Sequence, residues 1–170
     1  MAALRTDKDI IKGSKLMLFI DNAPVGFATS HSLSMTTNTT QVSTKDHGDF
    51  PSTIAQNITW EVTAENLYSN TGEGIYMTKM KTMQPITVVF AQASNYRNDI
   101  AQGTLPMSEE TNVAEWLLGQ KIAEGEAIIT SFSINAPAGD NATMSITLTG
   151  TGELRMYNGS GTAIGTTGTL

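Results

Sequence analysis

The sequence predicts a mainly β protein: an antiparallel β-sandwich or barrel with one flanking α-helix. Three observations predict it. Several segments alternate apolar and polar residues with a period of two, and short apolar runs are rich in β-branched and aromatic residues. One stretch, "SNTGEGIYMTKMKTMQP", carries apolar residues at helical spacing between helix start and stop signals.

Taken in order, "LMLFI" (residues 16–20) is apolar on both parities, as befits a strand covered on both sides. "DNAPVG" supplies Asn, Pro and Gly for a short turn into the next strand. From Val25 to Met35 the inward parity reads Val25, Phe27, Thr29, His31, Leu33, Met35, and the other parity is Ala and Ser. In "ITWEVTAE" Ile58, Trp60, Val62 and Ala64 alternate with Thr59, Glu61, Thr63 and Glu65. Residues 36–56 between these strands read as a long polar loop or extended hairpin.

"SNTGEGIYMTKMKTMQP" predicts the helix. Asn70 caps it, Tyr76, Met80 and Met83 share one face, Lys79 and Lys81 point away, and Pro85 stops it. "ITVVF" (86–90) is another doubly covered strand. Residues 94–125 carry mixed signals. "ETNVAEWLLGQ" suits a helix capped by Thr111 with Val113, Trp116 and Leu117 inward, a helix or loop being favoured, whereas Gly119 and Gly125 also suit an irregular strand.

"AIITSFSI" (127–134) is a further strand, with Ile128, Phe132 and Ile134 on one face and Ile129, Ser131 and Ser133 on the other. "NAPAGDNAT" then forms a hairpin loop into the strand of Met144, Ile146 and Leu148, and "ELRMY" (153–157) is a possible seventh strand. The expected organisation is a flexible arm (1–11), one domain (12–157) and a flexible Gly/Thr-rich tail (158–170).

The 170 residues suffice for one hydrophobic core without staples. Only 15% are charged, so the polar surface is built largely from hydroxyls. A net charge of -6 with a sequence pI near 4.8 argues against a groove that grips phosphates, which needs clustered Lys and Arg. There are no cysteines, which removes disulfides, thiolate chemistry and Cys-based metal sites. "MAALRTDKDIIKGSK" has charges where a signal peptide needs an apolar stretch, and no apolar run is long enough to span a bilayer. The expected compartment is the cytoplasm, with release by lysis. Four glycosylation sequons, at Asn38, Asn57, Asn141 and Asn158, are ordinary in a chain so rich in Thr and Ser.

Motifs that carry chemistry are missing. There is no phosphate loop, H-E-x-x-H or calcium loop, and "GSGTAIG" has Ile164 where a dinucleotide fingerprint needs its third glycine. His31 lies on an apolar parity and reads as a buried, hydrogen-bonded core residue. Lys45, Asp46 and His47, with Asp49 beyond, offer ligands for a divalent ion, but their spacing matches no metal site, and a loop tip touching solvent or a partner accounts for them. Glu65 and Glu73 have structural explanations, a strand end and a helix first turn. No catalytic, metal or cofactor site is assigned.

The succession "LMLFIDNAPVGFATSHSLSM", "STKDHG", "ITWEVTAENLYS" and "AIITSFSINAPAGDNATMSITLTGTGEL", over roughly residues 12–157, resembles the major tail, or tail tube, proteins of long-tailed bacteriophages. The resemblance implies the tail-tube fold, shared with the tubes of contractile injection systems, and a virion structural protein without an active site. It further implies hexameric rings stacked into a hollow tube that delivers DNA, which is present only transiently in the lumen. Partners would be other copies and other tail proteins (tape measure, tail terminator, baseplate), with no membrane, and assembly would take place in the host bacterial cytoplasm. Ser43, Thr44, Lys45, Asp46, His47 and Gly48 are then the expected contact with a neighbouring subunit. Two alternatives remain: the inner tube protein of a contractile injection system, and a carbohydrate-binding or adhesion β-sandwich. With 6% aromatic residues, mostly on apolar parities, the second has few exposed rings to stack on sugars.

Overall fold

The computed structural model describes residues 11, 13–25, 28–45, 50–68, 73–93 and 118–164. A 3₁₀ turn at Gly13–Lys15 leads into β1 (Leu16–Ile20), followed by β2 (Ala23–Pro24), β3 (Ala28–Val42), β4 (Ser52–Leu67), α1 (Glu73–Thr82), β5 (Ile86–Ala93), β6 (Leu118–Asn135), β7 (Thr143–Tyr157) and β8 (Ala163–Ile164). All strand pairs are antiparallel, in the order β2-β1-β5-β6-β7-β4-β3, with β8 added to β7. The ends of this order do not pair, so the sheet is not closed into a barrel. Among the described residues the architecture is mainly β with one α-helix, as the sequence predicts.

One core collects residues from both halves of the sheet: Leu18, Ile20, Ile86 and Val88 from β1 and β5, and Trp60, Val62, Ile146 and Leu148 from β4 and β7. Tyr76 and Met80 of α1 pack against it. The other face of β1 and β5 buries Met17, Phe19, Val89 and Ala91 with Leu118. Burial on both faces is why "LMLFI" and "ITVVF" show no alternation. Asp21 and Asn22 turn from β1 to β2 with φ of 49° and 66°, the left-handed pair that a two-residue hairpin turn requires. The Asp21 carboxylate then accepts from the Thr87 backbone N–H at 3.1 Å and meets Lys79 Nζ at 3.2 Å, tying α1 to the turn and to β5.

Several boundaries differ from the sequence reading. The loop placed at 36–56 is mostly strand: residues 36–42 pair with 52–58, and an irregular segment is left only between Val42 and Ser52. Hydroxylated residues on both parities hide a strand whose two faces are wet, because alternation marks only half-buried strands. Residues 118–125, read as helix or loop, begin β6, and register shifts there break the period. "ELRMY" is no separate strand but the end of β7. Met83 leaves the helix at φ 52° and is 78% exposed, so the apolar stripe ends at Met80. The tail is ordered through Ile164: the Asn158 carboxamide oxygen accepts from the N–H groups of Ser160 and Thr162, turning the chain into β8. The capping Asn70, the arm at 1–10, the helix proposed from Thr111 and the last six residues lie outside the described residues.

A bulge explains β6. Ile129 pairs with Leu148 and Phe132 with Ile146, with a register shift between Ile129 and Ser131. The extra residue, Thr130, lets Ile129 and Phe132, of opposite parity, both face the core.

Candidate assembly surface

β4 pairs with β7 only over Glu61–Leu67, whereas its pairing with β3 continues down to Ser52. Beyond Glu61 the two strands therefore leave the sheet as a two-stranded arm. Its residues are exposed almost throughout. The core line Val62–Trp60 continues onto the arm as Ile58, 60% exposed, and Leu33 continues as Met35, 51% exposed. Both were expected inward; they miss the core because nothing among the described residues covers the arm.

The arm is apolar in places on both faces. Ile58 pairs with Thr37 and Ile54 with Thr40, three residues along an unbulged β3, so Ile58 and Ile54 face opposite ways. The shift between Asn38 and Thr39, where Gln56 is the extra residue, produces this reversal. Near the tip Phe50 is 85% exposed. Ser43, Thr44 and Lys45 are exposed at the same tip, while Asp46, His47 and Gly48 lie outside the described residues.

The sheet face opposite the core is tiled with hydroxyls. Successive rows across β3, β4, β7 and β6 read Ser34, Glu61, Thr149, Ile128; Ser32, Thr63, Thr147, Ser131; and Ser30, Glu65, Ser145, Ser133. Ser32 and Thr63 hydroxyls meet at 2.6 Å, and those of Thr130 and Thr149 at 3.0 Å. Glu61 and Glu65 are the only ionisable groups in these rows, and among the described residues no ion pair to either is seen. The face is thus wettable, faintly acidic and about 15 Å wide at the usual strand spacing.

β3 forms the outer edge of this face. It is 15 residues long, pairs only with β4 among the described residues, and contains neither Pro nor a Lys, Arg, Asp or Glu to discourage a further strand.

Two titratable clusters lie elsewhere. Glu124 accepts from Lys121 Nζ at 2.8 Å and from the Tyr157 hydroxyl at 2.7 Å, and these bonds hold its pKa below the usual carboxylate value while raising that of Tyr157. It borders an open notch of about 450 Å³ with Glu126, Glu153 and Arg155. The notch has charge but no nucleophile paired with a base. His31 is half-buried, its ring edge-on to Phe90 with centroids 6.4 Å apart. Burial lowers its pKa to about 4. Its Nε2 has no hydrogen-bond partner among the described residues, in contrast to the bonded histidine expected. Among those residues no three His, Cys, Asp or Glu side chains converge as metal ligands, and no helix is long and apolar enough to cross a membrane.

The sequence offered the arm only as one of two alternatives, a long loop or an extended hairpin, because its signal is weak. A trace existed in Ile54 and Ile58, but the bulge between them destroys their common period.

No protein-family model matches the chain, and no curated protein matches it in sequence. Solved structures do match in fold. One is the tail of an empty gene transfer agent particle, a helical reconstruction with C6 symmetry, at a TM-score of 0.63 and 9% identity, covering 88% of this chain and all of that one. A chain from the virion of a native gene transfer agent particle matches at a TM-score of 0.62 and 10% identity, with the same coverage. The fold of this chain is accordingly the one found in the tails of phage-like particles, as the resemblance to tail tube proteins implied.

Proposed function

We propose that this protein is a virion structural subunit that assembles into hexameric rings stacked as a tail tube, the conduit for DNA into the host. The observation that carries the reading is the arm: two strands projecting beyond the sheet with Met35, Phe50, Ile54 and Ile58 exposed. Leaving such side chains in water forgoes roughly 1 kcal/mol or more apiece, a deficit that contact with a second copy removes. The fold shared with tail chains over 88% of the sequence supports the same reading.

In this reading Ser43, Thr44, Lys45, Asp46, His47 and Gly48, at and beyond the described tip, touch the neighbouring subunit. The hydroxyl face is the wall past which DNA slides, since Glu61 and Glu65 repel phosphates and its described rows carry no Lys or Arg to hold them. Tape measure, terminator and baseplate proteins are the further partners, and the subunits assemble in the host cytoplasm before the particle is released.

Negative-stain electron microscopy of the concentrated protein tests it. Six-fold rings or tubes are expected; particles that remain monomeric at every concentration, with or without a tail initiator complex, would sink the proposal.

A further inference from the structure

Among the described residues β3 has a ladder on one side only, and of its inward side chains Leu33 and His31 pack on the body while Met35 is half in water. His31, together with Leu33, thus seats the inward face of residues 28–33.

Its surroundings are suited to a neutral ring alone. On the same face β4 presents Val62, Ala64 and the buried Asn66, β5 presents Val88 and Phe90, and α1 contributes Tyr76 and Met80. Of these only Tyr76 carries an ionisable group, a phenol. Glu61 and Glu65 lie on the opposite face of β4, and Lys79 is turned to Asp21. Among the described residues no carboxylate faces the imidazole, so there an imidazolium is buried without a counter-charge.

Asn66 sharpens the point. It is 2% exposed with its Oδ1 unpartnered among the described residues, and lies two residues along β4 from Ala64, the cross-strand partner of His31. Two buried polar atoms without partners thus sit on one face under one edge strand. Such a corner opens at lower cost than the apolar seam between β4 and β7.

We propose that His31 is an acid latch, whose protonation unseats residues 28–33 of β3 from the body and releases the root of the arm while the rest of the sheet persists. The sign follows from the direction of the shift. A histidine whose folded pKa is depressed from 6.5 to about 4 contributes stability that is full above pH 6.5, falls between there and about 4, and is gone below. If the opened strand hydrates the ring fully, opening is favoured about a hundredfold more at pH 4 than at neutral pH.

Hydrogen exchange read by mass spectrometry tests this in the full chain, with intrinsic rates corrected for pH. Protection of peptides covering 28–35 should fall about a hundredfold from pH 7 to pH 4, with peptides covering 86–93 changing little. In His31→Phe, which keeps the apolar ring and removes the proton site, that local loss should vanish. An equal loss in His31→Phe, or no loss in the parent chain, overturns the proposal. Should His31→Phe fail to fold, an NMR titration of the parent imidazole decides, with His47→Gln used to assign the signal. A midpoint below about 5 upholds the latch, and an ordinary one near 6.5 refutes it.

Discussion

The indole N–H of Trp60 donates to the carbonyl oxygen of Gly152 at 3.1 Å, joining positions 92 residues apart. Trp60 is the last buried residue of β4 before the arm begins, and it lies against the part of β7 that has parted from β4. The indole spans that gap, its ring covering Gly150 and Gly125 so closely that neither position has room for a Cβ.

Gly150→Ala should therefore destabilise the protein. The added carbon would stand 2.0 Å from Trp60 Cε2, and the indole is held by its own hydrogen bond. Overpacking of this kind costs about 2–3 kcal/mol, read as a lower urea midpoint with an unchanged slope. Gly13→Ala, with nothing within 4 Å of its Cβ, should stay within about 0.5 kcal/mol of the parent and controls for handling.

Ile58→Ser and Met35→Ser should separate folding from assembly. Both side chains are at least half exposed, so the melting temperature should change little. Sedimentation of the concentrated protein should nonetheless show fewer large particles. A sharp fall in melting temperature for either variant would mean that these residues support the lone subunit.

Shortening the tip between Ser43 and Gly48 should leave the arm paired, because the ladder closes at Val42 and Ser52 before the tip begins. Far-ultraviolet circular dichroism should be unchanged, with assembly reduced. Loss of β signal would show instead that the tip nucleates the hairpin.

Glu124→Gln should show a pH-dependent penalty. The bonds from Lys121 and Tyr157 depress the folded pKa of Glu124, so its stabilisation is present above the ordinary carboxylate range and is lost as pH falls through the lower folded value. Urea melts of parent and variant should differ most at neutral pH and converge in acid. A gap that persists below pH 3 would assign the effect to packing.

How much of this was legible in the sequence depended on where water lies. Val62, Ala64, Ile146 and Leu148 alternate because one side of their strands is buried, and their strands and core could be read from that, as α1 could from the spacing of Tyr76 and Met80. Ile129 and Phe132 break the pattern because Thr130 bulges between them, and a bulge leaves no local signature. The beginning of β6 was obscured by Gly119 and Gly125, the second of which is small because Trp60, 65 positions earlier, occupies the space where its side chain would be. A long-range cause of that kind cannot be read from its neighbours. The arm was legible only as the extended-hairpin alternative to a loop for the opposite reason, since wet faces on both sides give hydrophobicity no period to follow. For the candidate contact, composition drew attention to the charged tip at 43–48, whereas the larger uncovered apolar area lies along the arm behind it.

The reversal at Gln56 bears on how such a subunit would polymerise. With Ile58 on one side and Ile54 on the other, a single neighbour can shield only half of what the arm exposes. Full shielding takes two bodies, one on each side, so the first contact is always poorer than the next. Within the proposed tube, growth would then show a concentration threshold and a lag, and dilute subunits would wait, soluble, for a template.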